Sequence, residues 1–224
     1  MPEFEYVSKR EAQPIKNEVI ALIKKVQDYV RNYFTLDYRF VGSSSRNMIT
    51  REKNGNKGFD FDVNLIPNVY NDEYTAAEIA KIIFNAIQQC MRKYGYTKIE
   101  DSTSVITIKV IEKKNSIIEH SCDFAIIRPL SDGKEQYIRF LKMSSFSPQY
   151  CYRWELRGGD YHIAGKLQWI IDNNLNQLLR DRYLINKNHN YIQAKKSRAI
   201  FAETVNNIYN EYSNCIRPLR YPLY

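Results

Sequence analysis

Two aspartates one residue apart, Asp60 and Asp62, lie inside an otherwise apolar run of the sequence. Side chains alternate between the two faces of an extended strand. Both carboxylates therefore share one face, while Phe59, Phe61 and Val63 share the other. Two like charges side by side repel each other, and a divalent cation relieves that repulsion by taking oxygen donors from both. The pair indicates a metal site on a strand, and the alternative is an edge strand with a solvated acidic face.

A glycine and three serines, Gly42 and residues 43–45, follow a short apolar run upstream of the aspartates. Glycine lets the backbone come close to a phosphate, and serine hydroxyls with backbone N–H groups can hold phosphate oxygens. Arg46 places a positive charge next to them. This turn is suited to binding an anion. The alternative is a serine-rich turn in which Ser45 or Asn47 caps a short helix.

A third aspartate, Asp123, lies within the alternating apolar stretch 116–127. A carboxylate in such a strand is costly unless it is paired or bound to a metal. Asp123 is therefore a candidate third member of the acidic site. The alternative is a buried carboxylate that caps a neighbouring loop or bonds to an arginine.

The elements that would hold these side chains are predicted from the spacing of apolar residues. Residues 11–34 and 74–94 carry apolar positions three and four apart, which predicts two amphipathic helices. Pro14 is expected in the first turn of the first helix, and Gly95 is expected to end the second. The predicted strands are 38–41, 59–66 (stopped by Pro67), 104–111 and 116–127, with a turn at 112–116 and an exposed loop at 50–58.

From residue 131 onward the pattern changes from strands to helices. The predicted helices are 136–143, 161–173, 175–184 and 191–212, with a Gly-Gly break at 158–159 and a proline-interrupted tail at 216–224. Within this region Trp154 and Trp169 are expected in the core. Arg153, Arg157, Arg180 and Arg182 form either a basic rim or a solvated face.

Composition limits the classes of protein that fit. The 224 residues are 44% hydrophobic, enough for a sizeable core, and the net charge is +8. That charge suits an anionic partner such as nucleotide phosphates or nucleic acid, and some of the 18 tyrosines could stack on bases; the alternative is a lysine-rich soluble surface. No apolar run approaches the roughly 20 residues of a membrane span, so a cytoplasmic protein is expected. The four cysteines have no zinc-binding spacing and are expected to be free thiols.

The order of these elements and residues resembles the nucleotidyltransferase superfamily, whose palm core is shared with the DNA polymerase beta family. The resembling residues are Gly42, Ser43, the Asp60–Asp62 pair and Asp123, and the resemblance covers about residues 20–130. The run GSSSRN before an Asp-x-Asp strand looks most like the template-independent branch. That branch includes oligoadenylate synthases, cyclic GMP-AMP synthases and their bacterial relatives (cGAS/DncV-like nucleotidyltransferases).

The resemblance implies an α+β fold with a palm core, a mixed or antiparallel sheet flanked by helices, followed by a C-terminal helical region. It implies a catalytic core at residues 1–130 and a helical region at 131–224 that completes the nucleotide cleft. Residues 44–59 separate Ser43 from Asp60, a longer stretch than this superfamily usually shows. The extra length either extends the loop, carries acceptor contacts or marks a degenerate site, and the presence of all three carboxylates argues against the last.

The implied chemistry is two-metal phosphoryl transfer from a nucleoside triphosphate. Asp60 and Asp62 would hold two Mg²⁺ (or Mn²⁺) ions, and Asp123 would complete the ion that activates the acceptor hydroxyl. Gly42 and Ser43 would cradle the triphosphate. The nucleotide contacts expected beside that cradle are Arg46, Lys166 and Tyr183.

The function that follows is transfer of a nucleoside monophosphate from the triphosphate to a hydroxyl, with release of pyrophosphate. The acceptor could be a second nucleotide, which gives a cyclic or linear oligonucleotide signal, or a tRNA, a protein or a small molecule. The rival class is a non-catalytic protein that keeps the fold and binds nucleic acid or a partner through its basic surface, with no need of the aspartates.

Overall fold

The chain forms two compact units, one of Tyr6–Gly158 and one that takes residues 1–5 and 159–224. The computed structural model describes residues 3–69, 73–112, 117–142, 150–158, 163–190 and 195–213. The predicted tail at 216–224, most of the predicted turn at 112–116 and the second glycine of the break at 158–159 lie outside the described residues.

The predicted α+β class is confirmed, because strands and helices share the chain in the expected order. The strands are β1 Phe4–Tyr6, β2 Thr35–Val41, β3 Thr50–Glu52, β4 Phe59–Asn68, β5 Lys98–Asp101, β6 Ile106–Glu112, β7 Ile117–Pro129, β8 Glu135–Lys142 and β9 Tyr150–Leu156. The helices are α1 Lys9–Val30, α2 Gly42–Ser45, α3 Ala76–Met91, α4 Ala164–Asp172, α5 Asn176–Asn188 and α6 Ser197–Tyr212, and a 3₁₀ turn, Arg92–Tyr94, follows α3.

The main sheet is mixed, with the strand order β2-β4-β7-β6-β5. β4 and β7 run parallel at its centre, and the other neighbouring strands are antiparallel. Beyond this path, β8 pairs with the end of β7, and β9 pairs with β8. A parallel pair needs a long crossover connection, and the segment that contains α3, β5 and β6 supplies it.

Helix α1 begins where a side chain caps it. The Ser8 hydroxyl accepts a hydrogen bond from the Glu11 backbone N–H at 3.2 Å. The helix therefore starts at Lys9, two residues before the predicted start, and Pro14 lies in the second turn instead of the first. The predicted apolar stripe is confirmed, and its buried members in the helix are Val19, Leu22, Ile23, Val26 and Val30.

Helix α3 has a signal at each end. Thr75 and Glu78 form a reciprocal capping box at its start. Gly95 takes a left-handed φ of 82° after the 3₁₀ turn that continues the helix, which confirms the predicted glycine stop.

The apolar face of β4 forms the centre of the core. Phe59, Phe61, Val63 and Leu65 are at most 3% exposed and belong to the same buried cluster as the apolar stripes of α1 and α3. Phe61 contacts Phe40 and Phe59 in edge-to-face geometry. Core packing therefore uses the apolar face of β4, and the face that carries the aspartates does not take part in it.

Strand β4 continues through Pro67, where the sequence predicted it to stop. Pro67 pairs with Leu36 on β2, whereas pairing with β7 ends at Leu65. Proline is tolerated where a strand has a neighbour on one side only, because its missing N–H then removes no ladder bond. The prediction of a break at Pro67 was wrong for this reason.

The predicted helix at 136–143 is wrong, because this segment is strand β8. Ile127 of β7 pairs with Tyr137, and Phe140 pairs with Tyr152 on β9. The hairpin extends the long strand β7, so pairing with a strand already present outweighs a local pattern that fits a helix. The helical region begins only at Ala164, and the compact units divide at residues 158–159, whereas the sequence suggested 130–131.

The polar stretch 50–58, predicted as an exposed loop, is partly ordered against the sheet. Thr50–Glu52 is strand β3, and the Asn56 carbonyl accepts a hydrogen bond from the Ile118 N–H at 2.9 Å. Gly58 has a φ of 56°, and a Cβ there would overlap the Ile118 and Glu119 carbonyl oxygens. The end of this long insertion is therefore anchored on the start of β7.

The second unit contains three helices close to those predicted. Its buried apolar side chains include Ile170, Leu179, Ile200, Phe201, Val205 and Ile208. The Trp169 ring contacts Tyr209 edge-on, which agrees with the packing role expected of it. In the same unit Asn188 holds the Phe4 backbone from both sides, accepting from its N–H at 2.6 Å and donating to its carbonyl at 3.2 Å.

Candidate active site

Parallel pairing of β4 with β7 places the predicted aspartates on one face of two neighbouring strands. Asp62 lies directly opposite Asp123, and Asp60 lies opposite Ser121. Since residues paired across neighbouring strands point to the same face, all three carboxylates share one face of the sheet, opposite the side that packs into the core. We call this surface the aspartate face, defined by Asp60, Asp62 and Asp123.

Asp62 has a strongly perturbed environment. Burial, followed by the negative charges of Asp60 and Asp123, raises its pKa from 3.8 to about 7. Arg46 and Arg157 act in the opposite direction and lower this pKa. A carboxylate that resists ionisation near neutral pH because of its neighbours is typical of a site built for a cation or for proton transfer.

Asp123 is held in place by the strand next to it. Thr107 of β6 pairs with Asp123, and its hydroxyl donates a hydrogen bond to Asp123 Oδ1 at 2.6 Å. Burial raises the pKa of Asp123, while this hydrogen bond and the charge of Lys109 lower it. Lys109 Nζ is itself bonded to Glu100 at 2.5 Å. Within the described residues Asp123 neither caps a loop nor pairs with an arginine, the two alternatives that the sequence allowed.

The glycine-serine turn lies against Asp62. Gly42 has a φ of 64°, and a Cβ built there would overlap Asp62 Oδ2 and lie 3.2 Å from Asp62 Cγ. The hydroxyls of Ser44 and Ser45 bond back to the carbonyls of Val41 and Gly42 at 2.8 and 2.9 Å. Ser45 lies inside short helix α2 and residues 46–49 form no helix, so neither Ser45 nor Asn47 starts a helix as the capping alternative required. Ser43 is the serine of the three whose hydroxyl makes no hydrogen bond within the described part of the chain.

Gly42→Ala is expected to lower nucleotidyl transfer at least 100-fold, because its methyl group would displace the Asp62 carboxylate and the φ of 64° disfavours any Cβ. Gly95→Ala is the matched control. Gly95 also has a left-handed φ, of 82°, but nothing lies within 4 Å of a Cβ there. Both variants should lose a similar stability of about 1 kcal/mol, and only Gly42→Ala should lose activity. Equal activity in the two variants would contradict this role for Gly42.

Two guanidinium groups act on the aspartate face, and the sequence identified one of them. Arg46, predicted as a phosphate contact, follows α2 and lowers the pKa of Asp62. Arg157, placed by the sequence only in a basic rim, does the same from the end of β9. No local pattern distinguishes Arg157 from Arg153, since only the pairing of β8 with β9 decides which one approaches the site.

Asn64 is a further residue of this face that sequence reasoning missed. It is 1% exposed, lies two residues beyond Asp62 on the same side of β4, and neither its Oδ1 nor its Nδ2 has a hydrogen-bond partner in the described chain. A buried amide in this condition is unusual. The signal that could have found it is the polar alternation Asp60, Asp62, Asn64 within an otherwise apolar strand.

Lys166 and Tyr183, the two remaining predicted contacts, belong to the second compact unit. Lys166 Nζ donates to Asn206 Oδ1 at 2.5 Å and lies 5.5 Å from the centroid of the Tyr209 ring. Tyr183 is 4% exposed and packs edge-on against Phe201. Both side chains therefore have packing partners within their own unit, and their contact with a nucleotide stays a prediction.

The donors on the aspartate face suit a divalent cation by chemical type and by strand register, since Mg²⁺ prefers carboxylate oxygens. Their side chains are not gathered around one point: among the described residues, no three His, Cys, Asp or Glu side chains form a group that could hold a metal ion. Side-chain rotation, with the strands unmoved, would be needed to bring the three carboxylates together.

Comparison with known proteins identifies the fold. No family model matches the chain, and no curated protein matches it. Vibrio cholerae DncV bound to GTP superposes with a TM-score of 0.55 at 16% identity, over 92% of this chain and 53% of that one. The Escherichia coli DncV complex with 3′-deoxy GTP gives 0.53 at 15%, over 92% and 54%.

A third structure, Vibrio cholerae DncV with the linear intermediate 5′-pppA(3′,5′)pG, gives a TM-score of 0.55 at 13% identity, over 92% of this chain and 54% of that one. The chain thus spans about half the length of these proteins. The fold is that of the cGAS/DncV-like nucleotidyltransferases, which confirms the predicted resemblance at the level of fold. Separately, no helix among the described residues is long and apolar enough to cross a membrane.

Proposed function

We propose that this chain transfers a nucleoside monophosphate from a nucleoside triphosphate to a hydroxyl group and releases pyrophosphate. The observation that carries the proposal is Asp62, half-buried on the same strand face as Asp60 and Asp123, with the Gly42 turn packed against it. A purely structural strand would gain nothing from two carboxylates that raise the pKa of a third.

In this function Asp60, Asp62 and Asp123 are the ligands of Mg²⁺ or Mn²⁺, which would neutralise phosphate charge and make the acceptor hydroxyl more acidic. Gly42 leaves room for the Asp62 carboxylate to lie against the turn, and the hydroxyl of Ser43 can donate to a phosphate oxygen. The guanidinium of Arg46 adds a positive charge that acts on Asp62. Thr107 keeps Asp123 oriented by its hydrogen bond to Oδ1.

A second nucleotide is the acceptor that we favour. The DncV structures of the same fold contain GTP and the linear intermediate 5′-pppA(3′,5′)pG. By this analogy of fold, the product is a cyclic or linear oligonucleotide. Transfer to a tRNA, a protein or a small molecule would use the same residues and differ only in the acceptor.

The rival function, non-catalytic binding of nucleic acid, has no specific observation in its favour. Two arginines of the predicted basic rim are bonded to carboxylates, in the pairs Arg153–Glu155 and Arg182–Glu211. Paired charges contribute little to an electropositive surface. The net charge of +8 remains compatible with binding of phosphates in general.

The test is release of pyrophosphate by the purified chain with Mg²⁺ or Mn²⁺ and the four nucleoside triphosphates, singly and in pairs, with products identified by mass spectrometry. Asp60→Ala should reduce the rate at least about 100-fold. Asp37→Ala, an equally exposed aspartate of β2 on the same sheet face, is the matched control and should keep wild-type activity. No pyrophosphate in any mixture, or an active Asp60→Ala protein, would overturn the proposal.

A further inference from the structure

The hairpin of β8 and β9 positions Arg157 through contacts with Glu135. Its backbone N–H donates to the Glu135 carbonyl at 2.9 Å, which continues the ladder one residue beyond the end of β9. Its guanidinium Nη1 donates to Glu135 Oε2 at 3.2 Å. Backbone and side chain of one residue thus bond to one partner, which limits where the guanidinium can go.

Glu135 also connects Arg157 to the strand next to the aspartates. The other oxygen of this carboxylate, Oε1, bonds to Arg39 of β2. Arg39 pairs with Asn64, which lies two residues from Asp62 on the same side of β4. Since paired residues share a face, this chain of contacts places Glu135 and Arg157 on the aspartate face, without reference to electrostatics.

The charges in this group do not cancel. One carboxylate, Glu135, is shared by two guanidinium groups, which leaves one positive charge in excess beside the aspartates. An ion pair needed only to close the hairpin would require a single arginine.

The guanidinium of Arg157 has donors left for a ligand. Within the described chain, Nη1 is its only nitrogen that makes a hydrogen bond, and the side chain is 34% exposed. A guanidinium offers five N–H donors in a planar fork that matches two oxygens of a phosphate group. The group is thus anchored through one nitrogen and open at the others.

We propose that Arg157 binds a phosphate oxygen of the nucleoside triphosphate held at the aspartate face, and that Glu135 holds its guanidinium in position. This inference rests on the proposed function, because it names a contact to the same substrate. It adds to the site a residue from the β8–β9 hairpin. The aspartates would hold the nucleotide through its cations, and Arg157 would hold it directly through its polyphosphate.

The test compares affinity for nonhydrolysable analogues of ATP and GTP, in Mg²⁺, with affinity for adenosine and guanosine, by calorimetry. Arg157→Gln should lower the affinity for the triphosphate analogue by about 10- to 100-fold relative to the wild type. This is the usual effect of losing a hydrogen bond to a charged group. Nucleoside affinity should stay within twofold of wild type, because no phosphate is present. If the role of Arg157 were only structural, the substitution would lower the affinity for the triphosphate analogue and for the nucleoside by the same factor.

Arg153→Gln is the matched control. Arg153→Gln removes the same charge from a residue that is also bonded to a carboxylate, Glu155, at 2.8 Å. Arg153 pairs with Arg139, however, four residues along the hairpin from the position where Arg157 meets Glu135. Arg153→Gln should leave affinity for both ligands unchanged. Arg157→Lys keeps the positive charge but lacks the planar guanidinium, and it should lower the affinity for the triphosphate analogue about fivefold. If Arg157→Gln does not fold, Arg157→Lys provides the test.

The outcomes separate this inference from the proposed function. If the wild type binds a triphosphate analogue and Arg157→Gln and Arg157→Lys bind it equally well, the role of Arg157 is overturned and the nucleotide site stands. If Arg153→Gln loses as much affinity as Arg157→Gln, the effect is one of general charge and the assigned contact is overturned. If the wild type binds no triphosphate analogue, the proposed function itself fails.

Discussion

Replacing Asp62 with asparagine is expected to abolish nucleotidyl transfer while making the metal-free protein more stable at pH 8. Asparagine keeps the shape of the side chain and removes the charge that burial and the other two aspartates oppose. Activity should fall at least 1,000-fold, because a carboxylate ligand of the cations is lost. The free energy of unfolding should rise by roughly 2–4 kcal/mol, since each pKa unit corresponds to about 1.4 kcal/mol.

The direction of the pH dependence follows from the raised pKa of Asp62. In the unfolded chain this carboxyl loses its proton near pH 3.8, whereas in the folded protein it keeps the proton up to about pH 7. Between these values the folded state binds more protons, so the stability due to this group falls as pH rises and is fully lost above pH 7. The gain from Asp62→Asn should therefore be large at pH 8 and nearly absent at pH 4.

Urea unfolding at pH 4, 6 and 8, with EDTA and then with Mg²⁺, measures these effects. Mg²⁺ should stabilise the wild type and leave Asp62→Asn unchanged. Asp37→Asn is the control, because Asp37 is exposed on the same sheet face and its carboxylate accepts a hydrogen bond from Asn68 at 3.1 Å. A metal-free Asp62→Asn protein that is less stable than wild type at pH 8 would contradict the conclusion that the ionised Asp62 carboxylate destabilises the fold.

Replacing Phe61 with alanine is expected to lower the free energy of unfolding by about 3–5 kcal/mol, the usual cost of removing a buried aromatic ring. Phe61 is fully buried and has edge-to-face contacts with Phe40 and Phe59. It lies between Asp60 and Asp62 in sequence, with its ring on the opposite face of the strand. A cavity beneath β4 should therefore also loosen the aspartate face.

Equilibrium unfolding and pyrophosphate release at low temperature, where the variant remains folded, measure the two consequences. The activity of the variant should fall by a larger factor than the amount of folded protein does. Phe61→Leu refills most of the volume and should cost less than half as much stability. Trp169→Ala, a large aromatic substitution in the second unit, is the control for nonspecific destabilisation. A loss below 1 kcal/mol for Phe61→Ala would contradict the central place of β4 in the core.

Local sequence pattern predicted the elements whose signals lie within a few residues. The apolar stripe of α1 and the stop of α3 at Gly95 were confirmed, because helical spacing and a left-handed glycine need no distant partner. Strand alternation likewise predicted which side of β4 carries Asp60 and Asp62. Where a distant strand decides the outcome, the prediction failed: Pro67 continues β4, and residues 136–142 form β8, because β2, β7 and β9 supply the pairing.

The sequence by itself determined the content of the candidate site: three aspartates on strands, a glycine that permits close approach, and an arginine beside it. The tertiary structure alone decided their arrangement. The register that sets Asp62 opposite Asp123 joins residues separated by a helix and two strands. The part of the raised pKa of Asp62 that is due to Asp123 follows from that register, after the larger effects of burial and of Asp60. The tertiary structure also decided that Arg157 lies opposite Glu135, whereas Arg153 lies opposite Arg139. Alternation assigns a side chain to a face, but only pairing between distant strands determines which side chains on that face are neighbours.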